Sequence, residues 1–321
     1  MKKTLSIIAA ALLMLTLFAA CSDEPADPAP AATPTPTPAS GSESTPTPAS
    51  GSDATPAPDP DPAPDSDFDT NRVIAVFTRE EGSGTRDAFV SVTGVGEDMY
   101  EEAVVVSETN EILSKVEENN FAIGYISIGS LSDRVKALNI DGVAPSDKTV
   151  KDGSYAIQRP FLVCVNEEKA QDELVQDFIA FMLSAQGQEK SGTKWTTIDD
   201  NAPDYTSKGL TGTLKVGGST SVDPLMQVLR QAYIDLNPGV EIEISGGGSG
   251  TGISEATSGV LDIGMSSRAL KDTEKSALEG IEIALDGVAV IVNPANPLGG
   301  LSIGQVKDIF TGASTRWSDA G

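Results

Sequence analysis

One arrangement constrains this chain more than any other. An apolar run of strand length ends in a turn of glycine and hydroxyl residues and gives way to a helical pattern. It occurs four times, with turns at Ser83, at residues 219–221, at residues 249–251, and at Ser266 and Ser267. Strands that alternate with helices point to an α/β fold. The turns also carry chemistry. The first N–H groups of a helix have no partner within it and sit at the positive end of its dipole, so they favour an anion. Glycine lets backbone come close to a compact ligand, and Ser and Thr hydroxyls add neutral donors. Each turn alone reads better as an ordinary helix N-cap. Four together, with Arg79 beside the first, point to a shared tetrahedral oxyanion.

The rest of the pattern fills in around these turns. Residues 72–77, 122–127, 161–165, 213–216, 240–245, 261–265 and 281–292 read as strands, and 135–140 alternates like a half-exposed one. Helical spacing covers 171–188, 225–236 and 302–310, with further helices after Arg86 and through Ile253 and Ala256. The string 246–252 is similar to a dinucleotide fingerprint, but no ribose-binding acid is clearly placed, and no Gly-Lys-Ser/Thr of a P-loop is present. A glycine connector is its competing reading. Cys164 lies inside an apolar strand and reads as a small core residue.

Composition narrows the function. The 321 residues hold 47 acidic and 22 basic side chains, a net charge of −25, and no histidine. A chain without histidine has no Ser-His-Asp or Cys-His machinery and no HExxH zinc site. Its negative charge disfavours nucleic acid as a partner. Two cysteines cannot form a disulfide framework or a four-thiolate metal site. No metal site and no cofactor are expected.

The start of the chain is a separate matter. Residues 1–21 run from Lys2 and Lys3 through an apolar stretch to Ala19, Ala20 and Cys21, the pattern of an export signal. Cysteine after Phe18-Ala-Ala resembles a bacterial lipobox, which implies lipidation of Cys21; a plain secretory signal is the alternative. Residues 22–70 contain 13 prolines, ten acidic residues and no Lys or Arg. Such a stretch cannot bury apolar surface and is expected to be an extended spacer, assigned to 22–71. Asp65, Asp67 and Asp69 lack the loop glycine and distal glutamate of a calcium site and read as a solvated charge run.

Beyond the spacer the residues resemble a known family. Thr78-Arg-Glu-Glu-Gly-Ser-Gly-Thr-Arg-Asp-Ala-Phe89 looks like the anion-binding signature of the phosphate-binding proteins that serve bacterial ABC phosphate importers. The segments starting at Ala122, Val135 and Tyr155 resemble the later part of that family. Gly217-Gly-Ser-Thr-Ser-Val-Asp-Pro224, Ser249-Gly-Thr-Gly252, Asp262-Ile-Gly-Met-Ser-Ser-Arg268 and Phe310-Thr-Gly312 resemble its earlier part. The resemblance covers nearly all of 72–321 and implies a two-lobed periplasmic-binding-protein type II fold. The order is reversed, so a circular permutation is expected, with the family's own ends joined near residues 205–209. A shortened tandem protein is the alternative. The expected layout is one lobe from 72–157 plus 289–321 and a continuous lobe from 158–288, since surface termini that lie close together tolerate such a rearrangement.

The resemblance also implies roles. Arg79, Ser83, Gly84 and Thr85 would bind phosphate from one lobe, with Glu81 orienting Arg79. Thr220, Ser221 and Ser249 would bind it from the other, supported by Ser219. Ser267 stands where many members carry an aspartate that accepts a ligand proton, which leaves Glu81 or Asp223 as substitutes and selectivity against sulfate open. Binding is expected to be non-catalytic, with closure around the anion and delivery to a membrane permease from the extracytoplasmic face, anchored through Cys21. The alternatives are another tetrahedral oxyanion (sulfate, molybdate or tungstate), or a surface or signalling lipoprotein.

Overall fold

The computed structural model describes residues 68–96 and 98–320. The export signal, Cys21 and the spacer up to residue 67 lie outside the described residues. In chain order the elements are β1 (Ala75–Arg79), α1 (Gly84–Thr93), β2 (Val104–Val106), α2 (Thr109–Glu118), β3 (Ala122–Ser127), β4 (Lys136–Ala137), β5 (Asn139–Ile140), α3 (Asp147–Lys151) and β6 (Gln158–Val165). They continue with α4 (Glu173–Met182), α5 (Ala185–Ser191), β7 (Gly212–Gly218), α6 (Asp223–Leu236), β8 (Val240–Ser245), α7 (Gly248–Thr257), β9 (Ile263–Ser266), α8 (Asp272–Lys275), β10 (Glu279–Val292), β11 (Gly300–Leu301) and α9 (Ile303–Phe310).

The strands run in the order β2-β1-β3-β10-β6-β9-β7-β8, with β4 also on β10. Strand β10 holds the array together. Its first half, Glu279 to Gly287, pairs antiparallel with β6, and its second half, Val288 to Val292, pairs antiparallel with β3. Around that change of partner two hydrophobic cores separate. Residues 74–157 and 288–320 supply one of them, and residues 161–284 the other. Strand periodicity places alternate residues of one strand on opposite faces. Thus Val288, Val290 and Val292 enter one cluster while Ala289 and Ile291 enter another. Likewise Val163 and Cys164 point to opposite faces of β6. Both faces are covered, so these strands read as unbroken apolar runs. Burial pushes the Cys164 thiol up to about 12, as fits an inert core residue.

The two ends of the described chain meet in one core. Val73 bridges Arg316, the Ile74 N–H donates to the Thr315 carbonyl at 2.9 Å, and β11 pairs parallel with β5. Phe89 stacks on Tyr125 at 4.1 Å and meets Phe310 edge-on at 4.7 Å.

Several sequence expectations need correction. The pattern at 135–140 is divided between two short strands in different sheets. The spacing at 171–188 covers two helices, because Ser184 caps a new one by accepting from the Gly187 N–H. Strand β1 begins at Ala75 rather than Arg72. The spacer ends earlier than residue 71, since Phe68 packs 5.1 Å from the Phe121 ring and 6.1 Å from Trp317. The fourth turn does not open a helix: after Ser266 and Ser267 the chain stays irregular until α8 at Asp272.

Candidate anion site

The turns that follow β1, β7 and β9 meet the start of α7 in a buried cluster of hydroxyls. Ser219, Ser221, Ser249, Ser267 and Thr85 are each at most 2% exposed. Within it, Thr85 and Ser221 share a hydrogen bond of 2.8 Å across the two cores, and Ser221 lies 3.3 Å from the hydroxyl of Thr109. Thr109 in turn lies 3.3 Å from Thr220. A second group is made by Ser219, which donates to Ser267 at 2.9 Å, and Ser249, 3.3 Å from Ser267. Gly84 is obligatory here. A Cβ on it would stand 2.5 Å from the Ser249 hydroxyl and 2.6 Å from that of Ser267.

Arg79 ends β1 with 1% exposure and reaches across this cluster. Its NH1 donates to Thr109 at 3.3 Å, and its NH2 to the Ser107 carbonyl at 2.8 Å and to Thr220 at 3.1 Å. Its carboxylate partner is Glu80, not Glu81: Nε donates to Oε2 at 2.9 Å and NH2 to Oε1 at 3.0 Å. The reason is a tight turn. The Ser83 N–H donates to the Glu80 carbonyl, and Gly82 adopts φ +84°, so Glu81 occupies the exposed corner. The Arg79 N–H donates to the Tyr125 hydroxyl at 3.1 Å. Burial pushes the Tyr125 phenol up, against the opposing hydrogen bond from Thr78.

A proton count shows what the cluster lacks. Thr85, Ser221, Thr109 and Thr220 carry four hydroxyl protons, and three oxygen–oxygen contacts join them. Ser219, Ser267 and Ser249 carry three protons for two contacts. One contact uses one proton. Each group therefore has at least one proton with no acceptor among these contacts, while guanidinium and backbone N–H groups fill acceptor lone pairs of the hydroxyls. No carboxylate of the described residues accepts from these seven hydroxyls. Neither substitute acceptor reaches them: Glu81 is exposed, and Asp223 accepts from Gln227 at 3.1 Å. A buried array with surplus donors suits an anion with several acceptor oxygens.

The cluster brings together Arg79, Gly84, Thr85, Ser219, Thr220, Ser221, Ser249 and Ser267 from the sequence analysis. Ser83 has the plainer role of capping α1, accepting from the Arg86 N–H at 3.4 Å. Two neighbours were missed. Thr109 opens α2 after strand β2, the same strand–hydroxyl–helix pattern without glycine, and could have been found that way. Arg159, which donates to Thr85 at 2.8 Å, sits in a strand and gave no signal. Further ties cross between the cores. The Gly250 N–H donates to the Gly82 carbonyl at 2.9 Å, and Arg268 Nε makes an ion-pair contact of 2.9 Å with Asp87. A cleft of about 250 Å³ opens beside Thr109 and Thr220. Among the described residues no group of acidic and sulfur side chains could hold a metal ion.

This fold and site define a two-lobed binding protein. The profile of the PBP superfamily domain matches residues 65–186 and 203–321, and the chain belongs to that superfamily. It is 43% identical over 259 residues to the phosphate-binding protein PstS 2 of Streptococcus agalactiae serotype V, covering 77% of this chain and 87% of that one. The crystal structure of a phosphate-binding protein of a phosphate ABC transporter from Streptococcus pneumoniae superposes with a TM-score of 0.64 at 42% identity, covering 78% of this chain and all of that one. The phosphate-binding protein PstS of Bacillus subtilis is 30% identical over 145 residues, 44% of this chain and 48% of its own length.

Proposed function

We propose that this chain captures inorganic phosphate in the hydroxyl cluster and delivers it to an ABC importer. The observation that carries this reading is the buried surplus of donors around Arg79, between two cores joined by crossing strands. Hydroxyls and a guanidinium replace the ligand's water, and closure buries it. Distant surface carboxylates are screened by salt and do not oppose this local array. Binding rather than catalysis fits the same geometry. The hydroxyls neighbour other hydroxyls and guanidiniums, so none has a base to activate it.

Ligand protonation provides the test. Dibasic phosphate brings one P–OH donor and monobasic phosphate two, and a donor-rich site tolerates one better. Calorimetric titration of the purified chain should show phosphate binding that strengthens as pH rises through the ligand's second ionisation. Tighter binding of sulfate, or no binding of either ion, would overturn the phosphate reading.

The layout of lobes belongs to this reading: 72–157 with 289–321, and 158–288, hinged on β6 and β10. A circularly permuted order is part of the same reading; it fits a match spanning 48% of the Bacillus protein, against 87% of the streptococcal one.

Cys21 lipidation would hold the lobes outside the membrane through the Pro-rich spacer. Among the described residues no helix is long and apolar enough to cross a membrane. Cys21→Ala should move the protein from the membrane fraction to the medium or soluble fraction; retention at the membrane would remove the anchor.

A further inference from the structure

Arg159 stands behind the hydroxyl cluster, on the strand pair that joins the two cores. It is 3% exposed and lies in register opposite Asp286, 2% exposed, just before β10 changes partner from β6 to β3. Nε and NH2 donate to the same Asp286 oxygen at 3.0 and 2.9 Å. The other Asp286 oxygen accepts from Ser127 at 2.8 Å. A buried ion pair needs its remaining valences filled, and Asp286 has its own filled in this way. Of the Arg159 N–H groups not used by the pair, one on NH1 donates to Thr85 Oγ1.

That contact sets one end of a hydrogen-bond chain. A guanidinium only donates, so Thr85 Oγ1 must accept from Arg159 and spend its proton elsewhere. Its neighbour is Ser221, which leads on to Thr109, and Thr109 accepts from Arg79. The hydroxyl chain is thus fed by a cation at each end. Whichever way Thr85 and Ser221 share their bond, four hydroxyl protons for three contacts leave one proton of the chain free to donate to an anion.

We propose that Arg159, clamped by Asp286, is a positioning residue that occupies an acceptor lone pair of Thr85, favours its hydroxyl as a donor, and so biases the site toward oxyanions with unprotonated oxygens. This rests on the phosphate reading above. Arg79 does the same to Thr109 and Thr220 from the opposite side. Because the clamp spans β6 and β10, the polarity of the site is tied to the strands about which the lobes are joined.

A double-mutant cycle on the full chain tests this, with inorganic phosphate as the titrant. The pair replacement Arg159→Met with Asp286→Leu leaves no orphaned charge, and such replacements are often neutral for folding. It should weaken phosphate binding about tenfold, and Thr85→Val should do the same. All three substitutions together should cost no more than either alone, because both remove one interaction. Thr85→Ser, which keeps the hydroxyl, should retain affinity and remain sensitive to the pair replacement. Arg159→Lys covers the case in which the paired variant does not fold. A single ammonium cannot fork onto Asp286 and also reach Thr85, so this variant should bind about as weakly as Thr85→Val. Additive losses, or an Arg159→Lys variant with unchanged affinity, would overturn the assignment and leave Arg159 a purely structural partner. Failure of the unmodified chain to bind phosphate would instead overturn the functional reading, and this assignment with it.

Discussion

Replacing Arg79 with alanine should weaken phosphate binding by about a hundredfold or more. The side chain is 1% exposed and is the guanidinium that donates directly to hydroxyls of both cores, Thr109 and Thr220. A charge-assisted hydrogen bond contributes roughly 1.5–3 kcal/mol, and breaking a buried pair by removing one partner costs about 3–5 kcal/mol. Either range spans one to several tenfold steps in affinity. The substitution also strands Glu80, whose side chain is 25% exposed and now forks with Arg79. A negative charge left beside an incoming anion adds to the loss. Arg79→Lys should recover only part of the affinity, because a point ammonium cannot hold Glu80 and both threonines together. Titration that is unchanged in Arg79→Ala would mean that the arginine serves only its ion pair, and the site would have to lie elsewhere.

Ending the chain after Asn293 should unfold the 72–157 region while the core of 161–284 survives. The lost segment contributes Leu301, Val306, Ile309, Phe310 and Trp317 to the first core, each no more than 4% exposed. At about 1.5–3 kcal/mol for each fully buried large side chain, their removal costs roughly 8–15 kcal/mol. That equals the whole stability of an ordinary domain, about 5–15 kcal/mol. The backbone agrees. Strand β5 loses β11, and the Tyr100 N–H loses the Phe310 carbonyl it donates to at 2.7 Å. Limited proteolysis should cut within 72–157 of the shortened chain and spare the second core. Resistance of 72–157 would contradict the layout of two lobes with one assembled from both ends of the chain.

How far the sequence reached can be read from particular elements. Strands β3 and β8 lie where their runs of apolar residues placed them, at Ala122–Ser127 and Val240–Ser245. Both patterns are strong, one a buried run and the other a clean alternation, and each is complete within six residues. Local chemistry also specified the tight turn at Gly82 and the cap at Ser83, because a turn needs only its own residues. The stretch at 135–140 was misread as one strand for a converse reason. Its alternation is real, but β10 and β11 take different halves of it, and partners more than 150 residues away are invisible in a local pattern.

The site divides in the same way. Hydroxyl and glycine types, their turns and the nearby Arg79 were written locally, so the sequence by itself determined which side chains were available to form an anion site. Which members face one another was a tertiary matter. Thr109 is brought to Thr220 from 111 residues away, and Arg159 to Thr85 from 74. Glu80 rather than Glu81 holds Arg79 because the backbone turns just after Glu80, an outcome of φ at Gly82 and of β1 ending where Arg79 pairs with Val106 of β2. Side-chain type is fixed by sequence, whereas hydrogen-bond partnership depends on orientation over a few ångströms, and only the packing of two cores across β6 and β10 sets that.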